Sequence, residues 1–173
     1  RSLHRMLERK YHGVPWPHIR LPADPRALTE AVLARVNRTS ALWQQFAFLC
    51  DLIVLSGDGT AGYYEELPLD YVHESEFGSS ERYVTISLEY GPDHDRVDPF
   101  DISVARVAQD DPAHSHDARY LHPVVRFFAR GELIAEHHVA ENLENEWDRA
   151  AHREPLCEFL ESVAYGHAPA SVA

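Results

Sequence analysis

The chain has 173 residues, 45% of them hydrophobic and 25% charged, a balance that suits one globular domain. Its 28 acidic side chains outnumber 16 Lys and Arg, and the formal net charge of −12 argues against a phosphate-backbone binder or a protein drawn to an anionic membrane. There is no apolar run of about 18 residues to span a bilayer and nothing like a signal peptide, although the chain starts at Arg1 rather than Met.

Residues 1–12 carry Leu3, Met6, Leu7 and Lys10 near helical spacing, which predicts a first helix. Four prolines (Pro15, Pro17, Pro22, Pro25) make 13–25 an extended connector. Asp24 then offers an N-cap with Pro25 at the first helical position, and Leu28, Val32 and Val36 line one face, so 25–37 is expected as a helix. The segment 41–56 is apolar nearly all round. Its length favours a buried helix capped by Ser40 and closed at Gly57; the rival is a buried strand over 51–55.

A short strand is expected within 63–73, demoted to an edge by Pro68. The clearest strand is 82–90, where Val84, Ile86, Leu88 and Tyr90 alternate with polar residues. Phe100–Ala108 is expected as the next strand, between an acidic loop (91–99) and a polar loop (109–118). Arg119–Ala140 is expected as a hairpin turning at Arg130-Gly131. A three-residue loop pairs Phe127 with Leu133 and Val125 with Ala135. It puts His122 opposite His138 on the outer face, near Glu136 and Arg126, and turns His137 inward. A polar helix over 141–152 follows. Pro155 restarts the chain as a last helix, with Leu156, Phe159, Leu160 and Val163 as its stripe and Gly166 as its stop.

These elements predict a single α+β domain over 1–173. It has a helical part (1–57), an antiparallel meander of four to five strands (63–140) and C-terminal helices (141–166), with the helices covering one face of the sheet. Cys50 and Cys157 stand among apolar neighbours and read as buried free thiols in a reducing cytoplasm.

Twelve histidines make metal or proton chemistry the first thing to look for. In His114-Ser-His116-Asp117, a His-x-His step on extended chain would put both rings on one side. This resembles part of the His-x-His-x-Asp-His motif of metallo-β-lactamase-like hydrolases, but the aspartate comes one place early and the last histidine is missing. A solvated loop is the expectation. Asp93-His94-Asp95 lacks the EF-hand's Gly and Glu positions and also reads as a solvated loop. With His94 added, His114, His116 and Asp117 form the candidate set for a divalent metal. Asp51-Leu-Ile-Val-Leu-Ser-Gly-Asp-Gly-Thr60 resembles the nucleotide-binding turn of diacylglycerol, sphingosine and NAD kinases. That resemblance implies phosphates held by the Ser56–Thr60 loop. Here Glu65 falls two places later than the acidic residue of the lipid kinases, and no Gly-Thr-Gly-Asn-Asp-like segment follows.

The functional expectation is an acidic module that binds a protein partner, a second copy or a small ligand. Its face would be Tyr120, His122, Arg126, Phe128, Glu136 and His138, with Val124 and Ile134 as apolar residues that something must cover. The alternative is a metal-dependent hydrolase using His and Asp. No nucleic acid and no membrane are expected as partners.

Overall fold

A computed structural model describes residues 2–92, 94–96, 98 and 101–164. The expected metal or loop residue Asp93, the strand residue Phe100 and the helix stop Gly166 lie outside the described residues. The architecture is α+β, built on one six-stranded sheet in the order β1-β3-β2-β4-β5-β6. Every neighbouring pair is antiparallel. The strands are β1 (His18–Pro22), β2 (Leu49–Leu55), β3 (Thr60–Pro68), β4 (Arg82–Glu89), β5 (His122–Ala129) and β6 (Glu132–His138). The helices are α1 (Ser2–His12), α2 (Pro25–Val36), α3 (Ser40–Gln44), α4 (Leu69–Glu74) and α5 (Ala150–Ala164).

The two faces of the sheet are covered by different helices. Ile53, Val84, Ile86, Val125 and Phe127 point to one side, where α2 and α5 bury Leu28, Val32, Leu156 and Leu160 against them. On the other side Leu52, Tyr83 and Phe128 pack with Val72 of α4, Trp16 and Met6 of α1. The expectation that all helices lie on one face is corrected in this respect. α2 starts as its sequence dictates: the Asp24 carboxylate accepts from Ala27 N–H at 2.9 Å, with Pro25 next.

The expected helix over 41–56 is mostly a strand. Only Ser40–Gln44 is helical, with Thr39 rather than Ser40 as N-cap, and Ala47 at φ 56° turns the chain into β2. β2 lies between β3 and β4 and is buried on both faces, so its run is apolar at every position but Asp51 and mimics a buried helix. β3 is an interior strand, because β1 adds to it as an edge strand from within the proline-rich connector. Pro22 and Pro68 sit at strand ends, where a missing N–H is tolerated.

No strand forms at 101–108. Asp101 instead accepts from Ser103 N (2.9 Å) and Ser103 Oγ (2.7 Å), a local turn that competes with ladder pairing. The expected polar helix at 141–152 is also absent over 141–149. There the Asn37 side chain clamps Trp147 from both ends, donating from Nδ2 to Trp147 O (3.2 Å) and accepting at Oδ1 from Trp147 N (2.9 Å). α5 runs through Pro155 rather than restarting there.

The hairpin turns at Arg130 (φ 52°) and Gly131 (φ 83°), a two-residue loop. A bulge at Ile134 then restores the phase, so Val125 pairs with His137, Arg126 with Glu136 and Val124 with His138. The exact pairing differs from the expected three-residue loop: Ala135, Glu136, His137 and His138 keep their expected faces, whereas Leu133, expected opposite Phe127, pairs with Phe128 on the outer face. His137 does point inward, stacked on Phe159 at 5.4 Å, and its buried Nε2 has no hydrogen-bond partner among the described residues.

A second bulge sits on β3, where Glu65 and Glu66 together oppose Asp51. Asp51 is fully buried. Its carboxylate accepts from Glu66 N (2.9 Å), Arg35 Nε (2.9 Å) and Tyr63 Oη (3.1 Å). Burial pushes its pKa up to about 6 against the lowering effect of Arg35 and these hydrogen bonds.

Removing one member of such a buried pair leaves the other charge uncompensated. Asp51→Ala is expected to lower unfolding stability by about 3 kcal/mol or more, read as a lower denaturant midpoint at unchanged slope. Burial, aided by neighbouring His138, depresses the His137 pKa to about 4. The unfolded chain takes up this proton near pH 6.5 and the folded ring resists it, so stability present above about 6.5 is lost as pH falls toward 4. His137→Phe, which keeps the stack on Phe159, is expected to reduce that slope by an amount approaching about 3 kcal/mol over the window, checked by denaturation at several pH values.

Candidate functional site

The outer face of β4, β5 and β6 carries a continuous chain of polar contacts. His122 Nδ1 lies 2.7 Å from the Tyr120 carbonyl, His122 Nε2 lies 2.8 Å from His138 Nδ1, and His138 Nε2 lies 2.8 Å from Glu136 Oε1. Glu136 accepts from Arg126 Nε. Arg126 in turn grips Glu89 with both terminal nitrogens, one of them at 2.9 Å, and Ser87 Oγ donates to Glu89 at 2.5 Å.

Proton accounting limits what this chain can do. The Tyr120 carbonyl and the Glu136 carboxylate only accept, so His122 Nδ1 and His138 Nε2 must both carry hydrogens. One more hydrogen is needed between the rings, so the pair holds three and carries one positive charge when every bond is made. Burial disfavours charge on His122 and lowers its pKa. The hydrogen bond from His138 and the charge of Arg126 hold the Glu136 carboxyl down at about 2 against its partial burial. Burial alone would raise Glu89, but hydrogen bonds from Arg126 and Ser87 outweigh it and keep the carboxyl below its ordinary range. With every bond made, no ring nitrogen of this pair keeps a free lone pair for a metal ion or a substrate.

The apolar members of this face are covered mainly by the chain itself. Phe128 stacks on Tyr83 at 4.9 Å and contacts His73 of α4 at 4.8 Å, and Val124 is buried. Ile134 remains 45% exposed at its bulge.

A cavity of about 390 Å³ opens where β4 ends and β5 begins. Phe46, Tyr90, His94, Val104, Arg106, Arg119 and Tyr120 line it, with Asp98 and Asp101. Its walls come from three segments distant in sequence. Ala47 N donates to Leu88 O at 2.9 Å, which holds Phe46 beside the end of β4. Gly91 N donates to Arg119 O at 3.2 Å, and a Cβ on Gly91 would fall 1.7 Å from the Ala118 carbonyl, so only glycine permits this approach. Tyr90 stacks on His94 at 4.4 Å and meets the edge of Phe46 at 5.1 Å. Arg106 lies flat over Tyr120 at 3.6 Å and reaches buried Glu141 at 3.5 Å.

The expected metal residues do not converge. His114 bonds Asp111 at 2.8 Å, His116 faces Asp117 at 3.5 Å, and His94 stacks on Tyr90. The segment Pro112–Asp117 is 3₁₀ helix rather than extended chain, so the two histidines do not share a side. Among the described residues no three His, Cys, Asp or Glu are placed to hold one metal ion. The Gly57–Gly59 loop closes the β2–β3 hairpin, with Ser56 N donating to Thr60 O at 2.8 Å. The Asp58 carboxylate is taken by Thr60 and Arg20. Sequence reasoning did not single out Phe46, Arg106 or Arg119. The available signal was a set of aromatic and Arg residues flanking strand ends, and their convergence is tertiary.

No family model matches the chain, and no solved structure matches it. The chain is similar to two curated FAD-dependent oxidoreductase proteins. It is 33% identical over 192 residues to "FAD-dependent oxidoreductase domain-containing protein 2" of Mus musculus, a match covering 94% of this chain and 27% of that protein. The Danio rerio protein of the same name is 28% identical over 186 residues, covering 93% of this chain and 26% of its own length. The chain therefore spans about a quarter of the length of the curated relatives it matches.

The polar chain on the sheet has a direct test. Arg126→Leu strips the cation from between Glu89 and Glu136 and is expected to lower stability by about 2 kcal/mol. Adding Glu89→Gln to that variant should recover part of the loss, because one uncompensated carboxylate goes with it. Denaturation of the two variants side by side reads the difference.

Proposed function

We propose that this chain is an accessory domain of a larger flavin-dependent oxidoreductase, one that stands beside the flavin-carrying unit and does not itself hold FAD. What carries the reading is a mismatch of lengths. The similarity runs along 94% of this chain yet reaches only 27% of the mouse relative, so most of such a protein lies outside the matched part.

The fold supports the same division. Dinucleotide cofactors commonly bind at the C-terminal ends of parallel strands, with the pyrophosphate on a glycine-rich turn that opens a helix. Here each neighbouring strand pair is antiparallel, and the one Gly-Asp-Gly turn leads into β3 instead of a helix. The residues present do not fit FAD. A metal-dependent hydrolase draws no support from histidines that are already bonded to one another or to carboxylates. The binding module expected from composition remains, now as the role of this domain, with its binding site at the end of the sheet rather than on the bonded face.

The chain purified alone should be colourless, carry no flavin absorbance and show no thermal shift on adding FAD. The mouse relative with the matching segment deleted should keep its flavin. Stoichiometric FAD on the isolated chain would overturn the proposal.

A further inference from the structure

We infer that the His122–His138 pair is a one-proton latch on the edge strand β6: the series from Tyr120 to Glu136 is closed while the two rings share three ring hydrogens, and it opens at the His138–Glu136 link when one of them leaves. This inference does not rest on the accessory-domain reading.

The hydrogen count carries it. The series has three links, of 2.7, 2.8 and 2.8 Å, and both of its ends are pure acceptors. Two hydrogens on the pair leave one link with an acceptor facing an acceptor. Four set two N–H groups head-on across the 2.8 Å between the rings. Only the singly charged pair closes all three links at once, so the two rings titrate as one coupled unit.

Burial decides which link gives way. His122 is 1% exposed, and water cannot replace its bond to the Tyr120 carbonyl. The His138 and Glu136 side chains are 20% and 34% exposed, so water can enter between them while Arg126 still answers the carboxylate. In acid the opposite failure occurs, because a fourth hydrogen parts the rings. Burial already lowers His122, which puts that step below the ordinary histidine range. The latch is therefore shut in an intermediate pH window and open on either side.

The charged groups facing the pair are Glu89 of β4, Arg126 of β5 and Glu136 of β6. His137 shares β6 but points inward. On neighbouring elements, His73 of α4 lies against Phe128, and in the segment Pro112–Asp117 His114 and His116 face Asp111 and Asp117. β6 is the outermost strand and pairs only with β5, so this series is a grip on a sheet edge.

The test is nuclear magnetic resonance on the folded chain. Ring-nitrogen shifts report the tautomers, and hydrogen exchange of the Ala135–Val139 amides, corrected for the base catalysis of exchange itself, reports the grip on β6. His122 Nδ1 should keep its hydrogen on the alkaline side while His138 Nε2 loses its own, and protection of these amides should fall by about tenfold across that step, as for loss of one charge-assisted hydrogen bond. The alkaline arm is the one read, because His137 titrates below about 6.5. Glu136→Gln is the second arm. Its amide can donate to neutral His138 while its carbonyl accepts from Arg126, so two ring hydrogens then close every link. Protection in this variant should persist on the alkaline side, an outcome that loss of the carboxylate charge alone would not produce. The latch is overturned if the two rings titrate independently, if protection in the native chain stays flat while His138 Nε2 loses its hydrogen, or if folded Glu136→Gln loses protection with rising pH as the native chain does.

Discussion

One buried carboxylate organises this fold. Asp51 stands on the central strand β2, opposite the two extra residues of the β3 bulge. A bulge leaves a backbone N–H without a ladder partner, and Asp51 takes the N–H of Glu66, which adopts φ 62°. The same carboxylate draws Arg35 from α2, and Arg35 also binds Glu66 at 3.0 Å. The carbonyls of Glu65 and Glu66 are met from the opposite face by Arg5 (3.1 Å) and Ser2 (2.9 Å) of α1. A charge that burial alone would disfavour is thereby tied to two strands and one helix, and the bulge it supports seats another helix. Its pKa stays raised toward 6, so desolvation is only partly offset.

A similar logic governs the outer face of β4–β6 but leads to a different functional conclusion. Two histidines, two glutamates and an arginine in one place suggest catalysis when they are read as a list. As a geometry they form a closed series in which each donor has an acceptor. Such a series fixes strand register and the orientation of Tyr120, whose carbonyl ends it. The Tyr120 ring then carries Arg106 in the cavity wall. The polar face therefore also shapes the neighbouring cavity.

The sequence was legible where a single periodicity or cap decided the outcome. The Asp24-Pro25 start of α2, the alternation of β4 and the inward turn of His137 all follow from local pattern. β2 was not legible as a strand from periodicity, because burial on both faces removes alternation. β1 was hidden by prolines, which are harmless at the ends of an edge strand. The hairpin shows how far local reasoning reaches. The apolar pattern indicated the faces of β5 and of Ala135 to His138, whereas the Ile134 bulge, invisible to a period-two count, moved Leu133 to the other face and set the actual partners. The cavity was least legible, since Phe46, Tyr90 and Arg119 meet only after Gly91 has brought the end of β4 against the chain entering β5.

Net charge acts on that cavity from a distance and the groups in its wall act at close range. A chain with a formal charge of −12 repels anions at long range, but at physiological salt this field is screened within about 8 Å. Inside that distance the groups in the wall decide. Glu141 answers Arg106, Asp98 and Asp101 stand in the same wall as carboxylates, and Arg119 lines it beside the rings. A mixed wall of rings, two arginines and two carboxylates therefore carries no one-sided field of its own.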